Sequence, residues 1–322
     1  MDQTKQNNEQ ETLKEIVRDA INNNRKQNLW NTIFKFGFLI YLFFVSASTF
    51  YIAGMDNSEL VEEEHIGYIN IHGEIARKTG VDGYRTIKAL NAAFESEYTK
   101  AIVLDADSGG GSPAQSDIIY REIMRLKEKY PEKKVYATVS DGCMSGCYYI
   151  VSAADEILAN KTSIVGSIGV RLDTFGVTEI MKTLGVERRT LAAGEHKTLL
   201  DPFLPADPEG EKHILNNVIK KTHETFISAV KGGRGEKLKS EDVFNGLVWS
   251  GEEALKIGLI DGYGSIHDVA RKYSDEGKMH NYTIKDGSLR ALFTGATAKA
   301  ISMAIENTIS SMASGKIDVQ LK

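Results

Sequence analysis

The chain has 322 residues, 42% of them hydrophobic and 26% charged, with a formal net charge of -5. That length supports one large domain or two modest ones with appendages. The mildly acidic balance argues against nucleic acid as a partner, because phosphate binding needs clustered Lys and Arg. The only two cysteines, Cys143 and Cys147, lack the further ligands of a zinc site. Spaced four apart, they make a geometrically poor local bridge and read as small apolar fillers beside a tight site.

Residues 1–28 are polar, with Leu13, Ile16, Val17, Ala20 and Ile21 at helical spacing. This predicts a short amphipathic helix ending near Asn22, either against a membrane surface or partner or as a solvated tail. Residues 36–53, FGFLIYLFFVSASTFYIA, are uncharged and mostly apolar. A run of about eighteen such residues is the least that spans a bilayer. Trp30 and Tyr51 fall where interfacial aromatics sit, and Lys35 can snorkel. Arg25, Lys26 and Lys35 precede the run, and Asp56, Glu59, Glu62, Glu63 and Glu64 follow it. The positive-inside rule then leaves the N-terminus in the cytoplasm and the remainder outside. A cleaved signal peptide is the alternative, but the charged lead-in is too long for one and the apolar run continues past the small residues Ser46–Ser48. The expectation is a single uncleaved transmembrane helix within 29–54 of the inner (plasma) membrane, followed by an acidic linker over 55–64.

From residue 65 the pattern becomes α/β. Strands are predicted at His65–Ile71, Ala101–Leu104, Val135–Val139, Ile157–Ala159 and Val165–Val170, and helices at Thr86–Phe94, Ala114–Lys129 and Thr178–Leu184. Strands alternating with helices at this spacing give crossover units and a largely parallel sheet. A further helical region spans Pro208–Val230, ended by a glycine turn at Lys231–Gly235, and Phe244–Asp261 reads as strand, capped short helix and glycine stop. An amphipathic helix is expected from Ser288 to Ser314, within a C-terminal helix and tail over 276–322.

Three sites carry chemical interest. In DGCMSGCYYIVSAA, residues 141–154, Ser145 stands among small residues at the start of a buried helix. Backbone N–H groups there can stabilise an oxyanion, and Gly146 admits close approach of a substrate backbone. The triple glycine Gly109–Gly111 lies between a strand and a helix. It lacks a following Gly-Lys-Ser/Thr, so it is not a phosphate loop. It is either a plain turn or a loop whose amides face a reacting carbonyl. Lys197, in GEHKT, is either an exposed loop lysine or a general base, a role that requires desolvation to bring its pKa to about 7–8. His196 beside it is a second candidate base.

Four blocks, SGCYYIVSAADEI, VGSIGV, GEHKTLLDPF and NGLVWSGEEALKIGLID, together resemble the signal peptide peptidase A (SppA) family of Ser-Lys peptidases. The resemblance covers roughly residues 65–275. It implies a ClpP/crotonase-like α/β fold of repeated β-β-α units and peptide hydrolysis without metal or cofactor. Ser145 matches the nucleophile, Lys197 the general base, and Ser167 the serine that orients that lysine. Gly110 and Gly111, with Gly146, match the oxyanion donors, and His196 becomes a bystander. Gly109 stands where the family has proline and Asp107 where it has asparagine, which bears on substrate fit and loop rigidity. The single-length chain implies a ring-like homo-oligomer whose sites are shared between subunits. Released signal peptides or other membrane-proximal peptides are the implied substrates, and residues 36–53 are the expected contact with the lipid bilayer. A catalytically silent scaffold and a crotonase-type acyl-CoA enzyme on the same fold are the rival readings.

Overall fold

The computed structural model describes residues 18, 30, 33–45, 63–273 and 276–284. The chain divides into two compact units, Met1–Leu60 and Val61–Lys322. In the first, residues 33–45 are helical and their apolar side chains, among them Phe36, Leu39 and Phe43, are exposed. Among the described residues no helix is long and apolar enough to cross a membrane. This helix covers the first part of the expected anchor, and 46–54 lie outside the described residues.

The second unit is built on an eight-stranded, mostly parallel sheet. Its central strands are β1 (His65–Ile75), β2 (Thr99–Gly111) and β3 (Lys134–Met144). They pair in parallel in the order β3-β2-β1, because each connection is a crossover helix. These are α1 (Gly83–Glu95) and α2 (Pro113–Lys129). Both helices start where the sequence provides a cap. The Asp82 carboxylate accepts the N–H groups of Tyr84 and Arg85, and the Ser112 hydroxyl accepts that of Gln115 ahead of a proline in the first turn.

After β3 come α3 (Gly146–Val151), β4 (Glu156–Ala159) and β5 (Ile164–Gly166). The lower part of β3 pairs with β4 through Tyr136–Val139, and its upper end pairs with β5 through Gly142–Met144. One strand thus serves two neighbours, and β5 is brought beside the turn that follows Met144. A six-residue helix α4 (Thr178–Thr183) precedes α5 (Pro208–Ile214), which runs through a π turn at Leu215–Ile219 into α6 (Lys220–Arg234). β6 (Val248–Ser250) is antiparallel to β5, α7 spans Gly251–Ile257, β7 (Gly262–Tyr263) pairs with β4, and α8 spans Ile266–Tyr273. β8 (Met279–Asn281) lies parallel to β1, so the sheet takes in residues beyond 275. The helix expected over 288–314 lies outside the described residues.

The main core lies on the α1–α3 face of the sheet. Ile69, Ile71, Leu104, Leu90, Phe94, Ile119, Ile123, Tyr148, Ile150 and Val151 are all buried there, each large apolar side chain contributing about 1.5–3 kcal/mol. A smaller cluster on the other face, Ile66, Val103, Tyr136 and Leu158, packs under Val269 and Ala270 of α8.

Two expectations are corrected. The triple glycine is not a loop: β2 continues through it, with Gly110 and Gly111 in register with Glu74 and Ile75 of β1. The Lys231–Gly235 stretch does not end the helix before its glycines, since α6 runs to Arg234. Gly233 is there for packing, because a Cβ on it would stand 1.9 Å from the Ser152 carbonyl oxygen. The helix therefore lies directly on the backbone that follows the Ser145 helix.

Candidate active site

Ser145 occupies the junction between β3 and α3, with φ 52 and ψ -122. That left-handed backbone costs a residue bearing a Cβ about 1–3 kcal/mol and persists only where its surroundings fix it. Two hydrogen bonds do so. Its N–H donates to the Gly166 carbonyl of β5 (2.8 Å), and its own carbonyl accepts the N–H of Tyr149 (3.0 Å).

Cys143 and Cys147 form a disulfide, with Cα atoms 5.2 Å apart. This corrects the expectation of two separate apolar thiols. The four-residue spacing looks unfavourable if the segment is taken as regular helix, but the reversal at Ser145 folds the last turn of β3 against the first turn of α3. The resulting Cα separation falls within the roughly 4.4–6.8 Å that a bridge requires. Both residues are wholly buried.

The glycines pack around the same turn. At Gly110 (φ 101) a Cβ would stand 2.8 Å from the Ser145 Cβ and 2.9 Å from the Gly146 nitrogen. At Gly146 a Cβ would stand 2.5 Å from the Ser116 hydroxyl and 3.3 Å from the Gly111 nitrogen. The Gly111 and Gly146 amides thus border one spot beside Ser145. The Gly110 N–H is already engaged, donating to the Ser108 hydroxyl (3.1 Å), which in turn donates to the Gly73 carbonyl. For Gly110 to serve an oxyanion that bond must open.

Ser167 follows Gly166 directly and also has φ 52; its N–H donates to the Leu247 carbonyl (2.7 Å). Since Gly166 is in register with Met144 and bonded to Ser145, the two serines lie on adjoining backbones. The Trp249 ring lies against Gly166, 2.7 Å from where a Cβ would be.

Lys197 is placed differently. It is exposed, its N–H donates to the Gly194 carbonyl (3.1 Å), and among the described residues its side chain makes no hydrogen bond or ion pair. Beside it the His196 Nδ1 lies 2.5 Å from the Asp207 carboxylate, and Asp207 caps α5 by accepting the Gly210 N–H. The hydrogen bond that the His196 ring donates to the Asp207 carboxylate raises the His196 pKa, while the Gly210 amide and then His196 lower that of Asp207. The chain around Lys197 also exposes Phe175, Ile180, Leu184 and Leu191. A cavity of about 340 Å³ opens between residues 174–180 and 198–207.

The supporting network was not visible in the sequence. Tyr148 of α3 donates its hydroxyl to the Leu259 carbonyl (2.7 Å); burial pushes that phenol's pKa up. Nearby the fully buried Arg234 forks onto Asp261 (2.8 and 3.0 Å) and the Gly258 carbonyl. Burial works to raise the Asp261 pKa, but Arg234 and the Ile157 amide outweigh it and hold the carboxyl below its usual range.

Comparison with known proteins gives the family. The model for peptidase family S49 matches residues 127–280. A candidate protease of Synechocystis is 32% identical over 249 residues, covering 74% of this chain and 86% of that one. The chloroplastic serine protease SPPA of Arabidopsis thaliana is 30% identical over 213 residues, 63% of this chain and 31% of that protein. A Na(+)/H(+) antiporter NhaA of Brucella abortus is 41% identical over 226 residues, 67% of this chain but only 30% of the antiporter. The chain thus spans less than a third of the two latter relatives. The family match and these relatives place the chain among the peptidases by descent. The chain belongs to peptidase family S49.

Proposed function

We propose that this is a membrane-anchored Ser-Lys endopeptidase of ClpP/crotonase-like fold that hydrolyses membrane-proximal peptides such as released signal peptides, on the extracytoplasmic side of the inner membrane. The observation that carries the reading is Ser145, held in a left-handed turn with two glycine amides at its side and Ser167 on the adjoining strand.

In this reading the neutral Lys197 amine takes the proton of Ser145 Oγ as the oxygen attacks the peptide carbonyl. The Gly111 and Gly146 N–H groups stabilise the developing oxyanion. The lysine ammonium then protonates the leaving amine, and water, deprotonated by the same amine, releases the acyl group. Ser167 orients the lysine. Exposure of Lys197 on the single chain, amid exposed apolar side chains, supports a homo-oligomer in which a neighbouring copy covers it, because desolvation is what disfavours the ammonium form. The buried disulfide suits an oxidising compartment, and the basic-to-acidic switch across 36–53 suits an outward-facing domain.

The test is peptide hydrolysis against pH for wild type, Lys197→Ala and His196→Ala. A lysine base predicts an alkaline optimum and loss of activity with Lys197→Ala alone; loss with His196→Ala and retention with Lys197→Ala reverses the assignment. A charge at the exposed apolar surface, Leu191→Glu, is expected to give a folded monomer by sedimentation that is inactive. Full activity in that monomer removes the shared site.

A further inference from the structure

We propose that the Cys143–Cys147 disulfide is a positioning device for the reaction: it clamps the turn that presents Ser145, and the bridged chain is the active form. The inference rests on Ser145 being the nucleophile. Three observations carry it.

The first is placement. The chain's only two cysteines lie two residues to either side of Ser145, one at the end of β3 and the other in α3, and they are joined to each other. The second is the backbone between them. Ser145 has φ 52, a conformation that L-residues leave readily unless held, and from the main chain of the described residues it is held by the bonds to Gly166 and Tyr149. Relaxing that φ would swing the Ser145 hydroxyl and the Gly146 amide together. The surroundings leave no slack for it, with Gly110 and Ser116 packed against the turn. The third is loop length. A bridge between residues only four apart closes a very short loop, and the stabilisation of a whole fold by a disulfide grows with the loop it closes. The effect of this one therefore falls on local geometry rather than on global stability.

Both sulfurs are fully buried, so the link forms during folding and is then shielded. Formation is thiol–disulfide exchange with an oxidant that is itself a disulfide. The two thiols give up two protons and two electrons, one S–S bond forms in the chain, and the oxidant leaves as two thiols.

The experiment uses the full chain as wild type, Cys143→Ala/Cys147→Ala, Cys143→Ser/Cys147→Ser and Ser145→Ala. It measures the rate of fluorophosphonate labelling, kcat and KM on a peptide, and the thermal midpoint. Both unbridged variants should label and turn over about 10- to 100-fold more slowly, the scale of a misplaced reacting group, with KM and thermal midpoint little changed. Wild type refolded in dithiothreitol should show the same defect, and the same protein unfolded and refolded in oxidised glutathione should be fully active, because the bridge forms before the sulfurs are buried. Unbridged variants with wild-type labelling and kcat overturn the inference and leave the nucleophile assignment standing. Loss of activity only in step with loss of cooperative unfolding makes the bridge structural and overturns it too. Labelling and turnover that persist in Ser145→Ala overturn the nucleophile assignment itself.

Discussion

The turn carrying Ser145 and the segment carrying Lys197 are opposites in construction. Around Ser145 the helix is entirely buried, the flanking cysteines are joined, and glycines at 110 and 146 leave no room for a methyl group. Around Lys197 the chain between residues 171 and 201 is mostly exposed, Phe175, Ile180, Leu184 and Leu191 among its apolar side chains. A nucleophile and its oxyanion donors must be held to within fractions of an ångström, and one chain's core can do that. A lysine base must instead be dehydrated, which an exposed segment cannot do for itself. In the proposed mechanism the single chain therefore completes one half of the chemistry and leaves the other half to be covered.

The sharpest test of this division removes one member from each half. Ser145→Ala and Lys197→Ala should each lower kcat by a factor on the order of 10⁴–10⁶. Lys197→Ala should leave the urea midpoint unchanged, because its side chain makes no hydrogen bond or ion pair among the described residues. A large loss of stability from Lys197→Ala would break the comparison.

Arg234→Ala probes the rigid half through stability. Removing the buried guanidinium leaves Asp261 with Lys237 (3.1 Å) and the Ile157 amide as its remaining partners, and should cost at most about 3–5 kcal/mol in urea unfolding. The sign with pH follows from the lowered Asp261 pKa. The wild-type contribution is present above the carboxyl's unfolded value and is lost as pH falls through the depressed folded one. The variant should therefore lose less stability on acidification, which denaturation series at neutral and acidic pH would show.

Gly110→Ala sharpens the same half through activity. Its Cβ would press on Ser145 and Gly146 in a backbone that disfavours side chains, so labelling of Ser145 should slow by about 100-fold. Gly109→Ala, where nothing lies within 4 Å of a Cβ, is the matched control.

The smallest effect belongs to the loose half. His196 is tethered to Asp207, with Glu195 and Glu209 adding to the raised pKa. The raised pKa means that the tether is complete below the histidine's ordinary 6.5 and is lost as pH rises through the folded value. Proteolytic nicking near Gly194–Leu200 should accelerate with pH in wild type and lose that dependence in His196→Ala. For so exposed a pair the change should be a few-fold at most.

Local chemistry made much of the fold legible. Alternation marked β1, the continuous apolar run 101–104 marked β2 as buried, and Pro131 marked the end of α2. The glycines were legible as important but not as strand, because the pairing of Gly110 with Glu74 lies 36 residues away in sequence. The disulfide was misjudged for a related reason. A four-residue spacing does not reveal that Ser145 reverses the chain, and that reversal is fixed by a bond to Gly166 on another strand. Arg234 looked like part of a glycine turn until its partners Asp261 and Gly258 were brought beneath it.

By itself the sequence determined the candidate site residues, their order along the chain and the alternation of strands with crossover helices, since these follow from side-chain chemistry and hydrophobic period within short windows. Only the tertiary structure decided that Ser145 sits in a left-handed turn, that its flanking cysteines meet, that Gly111 and Gly146 border one spot, and that Lys197 is left in the open. Each of those depends on distances between segments far apart in the chain, and packing, not local preference, sets such distances.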